Sequence, residues 1–245
     1  MSRIAFALLV VAVLAAQAGA DEAEDIVRAA DLARRPGPSF VWKIAITSVE
    51  GTKSPSVDTF EVFVKGSGRV FVKFLAPPRN VGRSLLALDR DLWIYLPDAG
   101  KPVRIPLSQR LVGQVANGDI ARADYAGDYD ATIVGDETVD GVRCHVLDLK
   151  AKTKEVTYAA IKYWVSADQR RPLRAEFYAG TGTLLKSGVF GNFKDIGGAG
   201  HPVATQLTLV DAIRKDRRSV LDYRDLKIRD LPDKYFDKTY MKTLD

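Results

Sequence analysis

From residue 39 onward, apolar and polar side chains alternate with a period of two, in short runs broken by turn residues. Segment 39–49 alternates Phe40, Trp42, Ile44 and Ile46. Segment 57–65 puts Phe60, Val62 and Val64 on one face, with Thr59, Glu61, Phe63 and Lys65 on the other. Segment 69–75 carries Val70, Val72 and Phe74. This period is that of a β-strand. Further strands are predicted over 83–89, 91–96, 101–105, 128–138, 142–150, 158–166, 172–179, 183–190, 202–211 and 217–228. Gly66-Ser67-Gly68, Asp89-Arg90-Asp91 and Asp140-Gly141 supply the tight turns. Helical spacing occurs near the start, where Ile26, Ala29, Ala30 and Ala33 recur over 21–35 with acids in the first turn. Pro36-Gly37-Pro38 ends that helix.

Many hairpin-length strands without βαβ spacing predict a mainly β fold. The strands should form one strongly curved antiparallel sheet, because a flat sheet of this size is unusual. Two strands, 91–96 and 203–210, are apolar on both faces, so the second face needs a cover: a helix, a lid or a ligand. Residues 107–127 break the rhythm with Leu111, Val112, Val115 and Ile120 set among glycines and charges. They read as a loop with short helical turns, and those four apolar residues are the lid candidates. The closing segment, 231–245, carries Tyr235, Phe236 and Tyr240 and is expected to pack on the sheet edge.

The first twenty residues change the class. Arg3 precedes an apolar run from Ile4 to Ala16, and Ala18-Gly19-Ala20 offers a small-x-small cleavage pattern. This is a secretory leader; the run is too short to span a bilayer. The expectation is one domain over 21–245, exported to a bacterial periplasm. The charge balance, 36 Lys+Arg against 31 Asp+Glu, is too mild for a nucleic-acid binder. Its one concentration is Arg214, Lys215, Arg217 and Arg218 at a hairpin tip, a candidate docking patch for anionic headgroups or an acidic partner.

Candidate chemistry is sparse. No Gly-x-Ser-x-Gly elbow occurs, and Cys144 and His145 are strand neighbours that point to opposite faces. Asp119, Asp124, Asp128 and Asp130 do not match a calcium loop and read as turn and cap residues. The sequence therefore predicts no catalytic residue, no metal site and no cofactor.

Leu88-Asp89-Arg90-Asp91-Leu92-Trp93-Ile94-Tyr95-Leu96-Pro97 resembles the hairpin of the periplasmic lipoprotein carrier family typified by LolA. Arg104-Ile105-Pro106-Leu107-Ser108-Gln109-Arg110, then Asp124-Tyr125 and Asp128-Tyr129, resemble the branch called outer membrane lipoprotein-sorting proteins. The resemblance covers nearly all of 21–245. It implies an unclosed half-barrel whose concave side is plugged by helices and shelters acyl chains. One position departs from the family pattern. Where the LolA carrier has a lid-latching arginine on its second strand, this chain has Gly66.

The function expected is that of a non-enzymatic carrier for a lipid or lipid-tailed molecule, a lipoprotein among the candidates. Exposing a sixteen-carbon chain to water costs roughly 12 kcal/mol, which an apolar cavity must offset. Trp42, Ile44, Phe63, Val72, Phe74, Trp93, Tyr95, Leu207 and Leu209 are the cavity candidates, the inward face of each strand being open at this point. The resemblance implies further partners: an inner-membrane exporter of the RND/MMPL type or an outer-membrane acceptor, with transient membrane contact. The alternative is an accessory module that docks on such an exporter and carries nothing.

Overall fold

A computed structural model describes residues 19–122, 124–196 and 198–242. The predicted leader lies almost wholly outside them. Residues 19–32 form helix α1. Six strands follow: β1 (Ser39–Glu50), β2 (Ser56–Lys65), β3 (Arg69–Ala76), β4 (Ser84–Leu88), β5 (Asp91–Tyr95) and β6 (Val103–Ile105). The second set is β9 (Tyr129–Val139), β10 (Val142–Ala151), β11 (Ala160–Ser166), β12 (Pro172–Tyr178), β13 (Leu184–Lys194), β14 (Val203–Asp211) and β15 (Arg217–Ile228).

These strands form one 13-stranded sheet, ordered β6-β5-β4-β3-β2-β1-β15-β14-β13-β12-β11-β10-β9. Every pairing is antiparallel, and the first strand meets the last: Ile44 lies opposite Tyr223, and Ile46 opposite Leu221. The fold is mainly β and the sheet is unclosed, with β6 and β9 as its free edges. The chain must travel from one edge to the other between β6 and β9. That bridging stretch holds a small hairpin, β7 (Arg110–Val112) and β8 (Val115–Ala116), and two short helices, α2 (Asn117–Ala121) and α3 (Tyr125–Asp128). The topology thus explains why the predicted lid segment interrupts the strand rhythm.

The inner apolar cluster joins the two halves. Helix α1 contributes Ala23, Ile26, Val27 and Ala30, all 0–1% exposed, and the sheet contributes Phe40, Ile44, Val72, Leu92, Leu147, Tyr163 and Leu209. Periodicity explains which side chains arrive there, because alternate residues of a strand face the same way. The outer face of β1–β4 carries a second cluster of Val41, Phe63, Phe71 and Leu86. The C-terminal segment covers it with Leu231, Phe236 and Met241. The sequence predicted the sheet edge for this segment. It lies across the outer face instead, because that face offers aromatic partners: Tyr235 sits 5.2 Å from Phe63 and Tyr240 5.5 Å from Phe71. Lys65 and Arg69 fasten the same segment through Asp233, at 2.9 and 2.8 Å.

Candidate functional site: a plugged concave face

A cavity of about 40 Å³ lies between the chain just after α1, the strands β1–β3 and β13–β15, and α2. Phe40, Trp42, Ile44, Val64, Val70, Ile120 and Phe190 form most of its apolar wall, and Gly66 and Ser67 stand at its rim. That volume holds a few water molecules, well short of an acyl chain.

Six of the nine cavity candidates come together on this inner face. Trp42 and Ile44 line the cavity, while Val72, Phe74, Leu207 and Leu209 belong to the same cluster around it. The structure does not bring Phe63, Trp93 and Tyr95 there: they face outward, beneath the C-terminal segment. Strand alternation is the reason, since Val62, Val64, Leu92 and Ile94 already point inward. Lys238 covers Trp93, its Nζ 3.7 Å from the ring centre. All four lid candidates pack on the inner cluster: Val115 and Ile120 are buried, Leu111 and Val112 half-buried.

The plug is fastened by charges. Asp119 of α2 meets Lys186 of β13 at 2.8 Å, with side chains only 4% and 6% exposed. Tyr158 donates to the same carboxylate at 2.6 Å, and Lys186 also donates to the Gln114 carbonyl at 2.5 Å. Asp128 of α3 accepts two bonds from Arg122, at 2.5 and 2.8 Å, and one from Arg90 of the β4–β5 turn at 3.0 Å. Such charge-assisted bonds are the strong kind. Two of them tie the bridging segment to the sheet, Asp119 to Lys186 and Asp128 to Arg90. Gly66 has a φ of +65° and open space beside its Cα, as a turn glycine requires.

The third fastening joins α1 to α3. Asp31 pairs with Arg34 at 3.3 Å and accepts the Ala126 N–H at 2.9 Å. The Arg34 guanidinium lies 3.9 Å from the centre of the Tyr125 ring. Burial pushes the Tyr125 hydroxyl up to about 12, so the ring meets the cation as a neutral face. Asp31 is pushed up to about 6, chiefly by burial, with Arg34 and the Ala126 N–H drawing it partly back. Its unfolded value is about 4. Between those pH values the folded chain holds a proton that the unfolded chain has released. This group's contribution to stability therefore falls as pH rises through that window and is constant above it. Asp31→Asn should remove the slope, so urea midpoints of the variant should gain on the parent between pH about 4 and about 7. Parallel profiles would show that Asp31 is ionised throughout.

Sequence reasoning missed these interior charges. The pattern assigns Asp119 and Asp128 to turns and caps and gives Arg34 no partner. The available signal was the acidic cluster inside a segment expected to cover an apolar face, because buried carboxylates need partners. Of the remaining candidates, Arg214, Lys215 and Arg218 are exposed at the β14–β15 tip, and Arg217 pairs with Glu50 at 2.5 Å. His145 bonds Asp136 at 2.9 Å and His201 meets the Leu32 carbonyl at 2.9 Å, so the two are fixed by separate partners. Among the described residues no group of three or more His, Cys, Asp or Glu could hold a metal ion. No helix of the described residues is long and apolar enough to cross a membrane.

Comparison with known proteins places this architecture. A family model described as an uncharacterized protein matches residues 66–243. No curated protein matches the chain. The crystal structure of the LolA superfamily protein NE2245 from Nitrosomonas europaea is 39% identical, with a TM-score of 0.84 over 89% of this chain and 98% of that one. A DUF1329 family protein from Desulfovibrio piger is 23% identical, with a TM-score of 0.79 over 91% and 99%. A domain described as that of an outer membrane lipoprotein-sorting protein, from Vibrio parahaemolyticus, is 20% identical, also at 0.79 over 91% and 99%. The last two share the fold. The first is close in sequence over almost the whole chain, and by that measure this protein belongs to the LolA superfamily.

Proposed function

We propose that this protein is a non-enzymatic periplasmic carrier that shelters a lipid or lipid-tailed molecule against its concave face. The observation that carries the reading is the nature of the plug. A sheet whose inner face is apolar could be sealed permanently by more apolar packing. Here apolar packing of α1 and α2 on the wall is joined by charges that cross from plug to sheet, Asp119 of α2 to Lys186 of β13 and Asp128 of α3 to Arg90 of the β4–β5 turn. A buried ion pair is worth little net against its hydrated parts, so a polar seam opens at less cost than an apolar one of equal area. The cavity of about 40 Å³ is then the closed form of a larger space, enlarged when the plug lifts. Membership of the LolA superfamily supports the same reading. The leader-like residues 1–20 support export.

The reading requires only binding and release. A tail of sixteen carbons is sheltered by roughly 12 kcal/mol of apolar transfer, similar to what the membrane offers, so transfer between membranes stays near balance. Native mass spectrometry of protein released gently from the periplasm should show a lipid-sized adduct. Delipidation should remove it, and mixing with envelope lipid extract should restore it. Protein that emerges without an adduct, and acquires none, contradicts the proposal.

A further inference from the structure

The cavity rim carries charge that the plug does not use. Four charged residues line it: Arg34, Arg35, Asp119 and Arg122. Three are neutralised within the protein, Arg34 by Asp31, Asp119 by Lys186, and Arg122 by Asp128. Arg35, three residues past α1, is half-buried and makes no ion pair or side-chain hydrogen bond among the described residues, acting only at longer range on Asp31. A half-buried guanidinium left unpaired beside an apolar wall is an unspent anion site.

A second observation points the same way. Trp42 lines the same cavity and is 7% exposed, yet its indole Nε1–H is buried without an acceptor. Buried donors are nearly always paired, and leaving one unmet is costly. No carboxylate, carbonyl or hydroxyl of the cavity wall meets it. A ligand oxygen entering the cavity would supply the acceptor that this donor lacks.

We infer that the cargo is an anionic amphiphile, a single apolar tail ending in a carboxylate or phosphate, whose head Arg35 binds at the rim while the Trp42 Nε1–H donates to a head oxygen. The inference rests on the carrier reading and adds the class of headgroup to it. Carboxylate and phosphate offer the same chemistry to a guanidinium, and the test separates them.

The experiment is displacement of a fluorescent polyene fatty acid from delipidated protein by dodecanoate, dodecyl phosphate and methyl dodecanoate. The tails are alike; the heads are a carboxylate, a phosphate and a neutral ester. At least one anion should bind about tenfold more tightly than the ester, the size of one charge-assisted bond. The tighter of the two identifies the head. Arg35→Gln should cut that preference to within about twofold and leave ester affinity unchanged, which also shows that the variant is folded. Trp42→Phe should weaken all three ligands together, because each brings an acceptor oxygen. Equal binding of ester and anions by the parent protein overturns the headgroup inference and leaves the carrier reading intact. A preference that survives in Arg35→Gln overturns the role of Arg35. If none of the three displaces the probe, and the probe itself does not bind, the carrier reading falls and this inference with it.

Discussion

Lys186→Met is expected to destabilise the protein by about 3–5 kcal/mol, because it leaves the Asp119 carboxylate buried without its cation. Asp119 keeps only the Tyr158 hydroxyl, at 2.6 Å, and the Ala116 N–H, at 2.8 Å. Two neutral donors do not replace an ammonium group in a site where both side chains are nearly inaccessible. Asp119→Asn should cost a comparable amount by stranding Lys186, whose ammonium lies 5.1 Å from the Tyr158 ring centre and 5.8 Å from that of Phe177. The double variant should recover most of the loss, since removing both charges of a buried pair is close to neutral. Denaturant midpoints of the four proteins measure this cycle. Single variants within about 1 kcal/mol of the parent would mean that the pair is hydrated, and that no polar seam exists at this point.

The other large effect concerns motion of the plug. A Cβ built on Gly118 of α2 would lie 3.0 Å from the Thr157 Cβ on the β10–β11 connection. That is slightly shorter than disulfide geometry asks, by about 0.5 Å or more, and a connecting loop can yield that much. Gly118→Cys with Thr157→Cys, in a Cys144→Ala background, should therefore form a bond that pins α2 to the wall. The buried native thiol is removed to prevent mispairing. The oxidised protein is expected to take up a fluorescent fatty acid at least tenfold less than the reduced protein, with full recovery on reduction. The physical basis is simple: about 40 Å³ cannot admit a tail unless α2 moves. Equal uptake in both redox states would show that lipid enters without displacing this helix.

The strands were readable because a half-buried sheet writes its period into the chain. Thirteen segments were predicted, and the large sheet has 13 strands, with shifts of a residue or a few at their ends. Their order was less readable. Hairpin turns announce β2–β3 and β9–β10, but nothing local tells β1 that its other neighbour is β15. The inward face was ambiguous wherever both faces are apolar. Phe63, Trp93 and Tyr95 look like cavity residues until the C-terminal segment is seen lying over them. Val41 beside Trp42 poses the same ambiguity within one strand. The charged members of the site were hidden for a different reason. A carboxylate or guanidinium is read as solvated by default, and only tertiary structure shows that Asp31, Arg34, Asp119 and Lys186 are inside. Gly66 offers no side chain at its strand end, and the segment between β6 and β9 makes its ion pairs through Asp128, with Arg90 and Arg122.

A carrier of this kind holds its acyl chain on the concave face and nowhere else. Photolabelling with a fatty acid that carries a diazirine in its tail tests this most directly. After irradiation, fragmentation mass spectrometry locates the attached residues. Labels are expected on the inner wall and the plug, at Trp42, Ile44, Ile120, Phe190 and Tyr223. Labels on Phe63, Trp93 or Tyr95 of the outer face, or scattered over the surface with none inside, would contradict it.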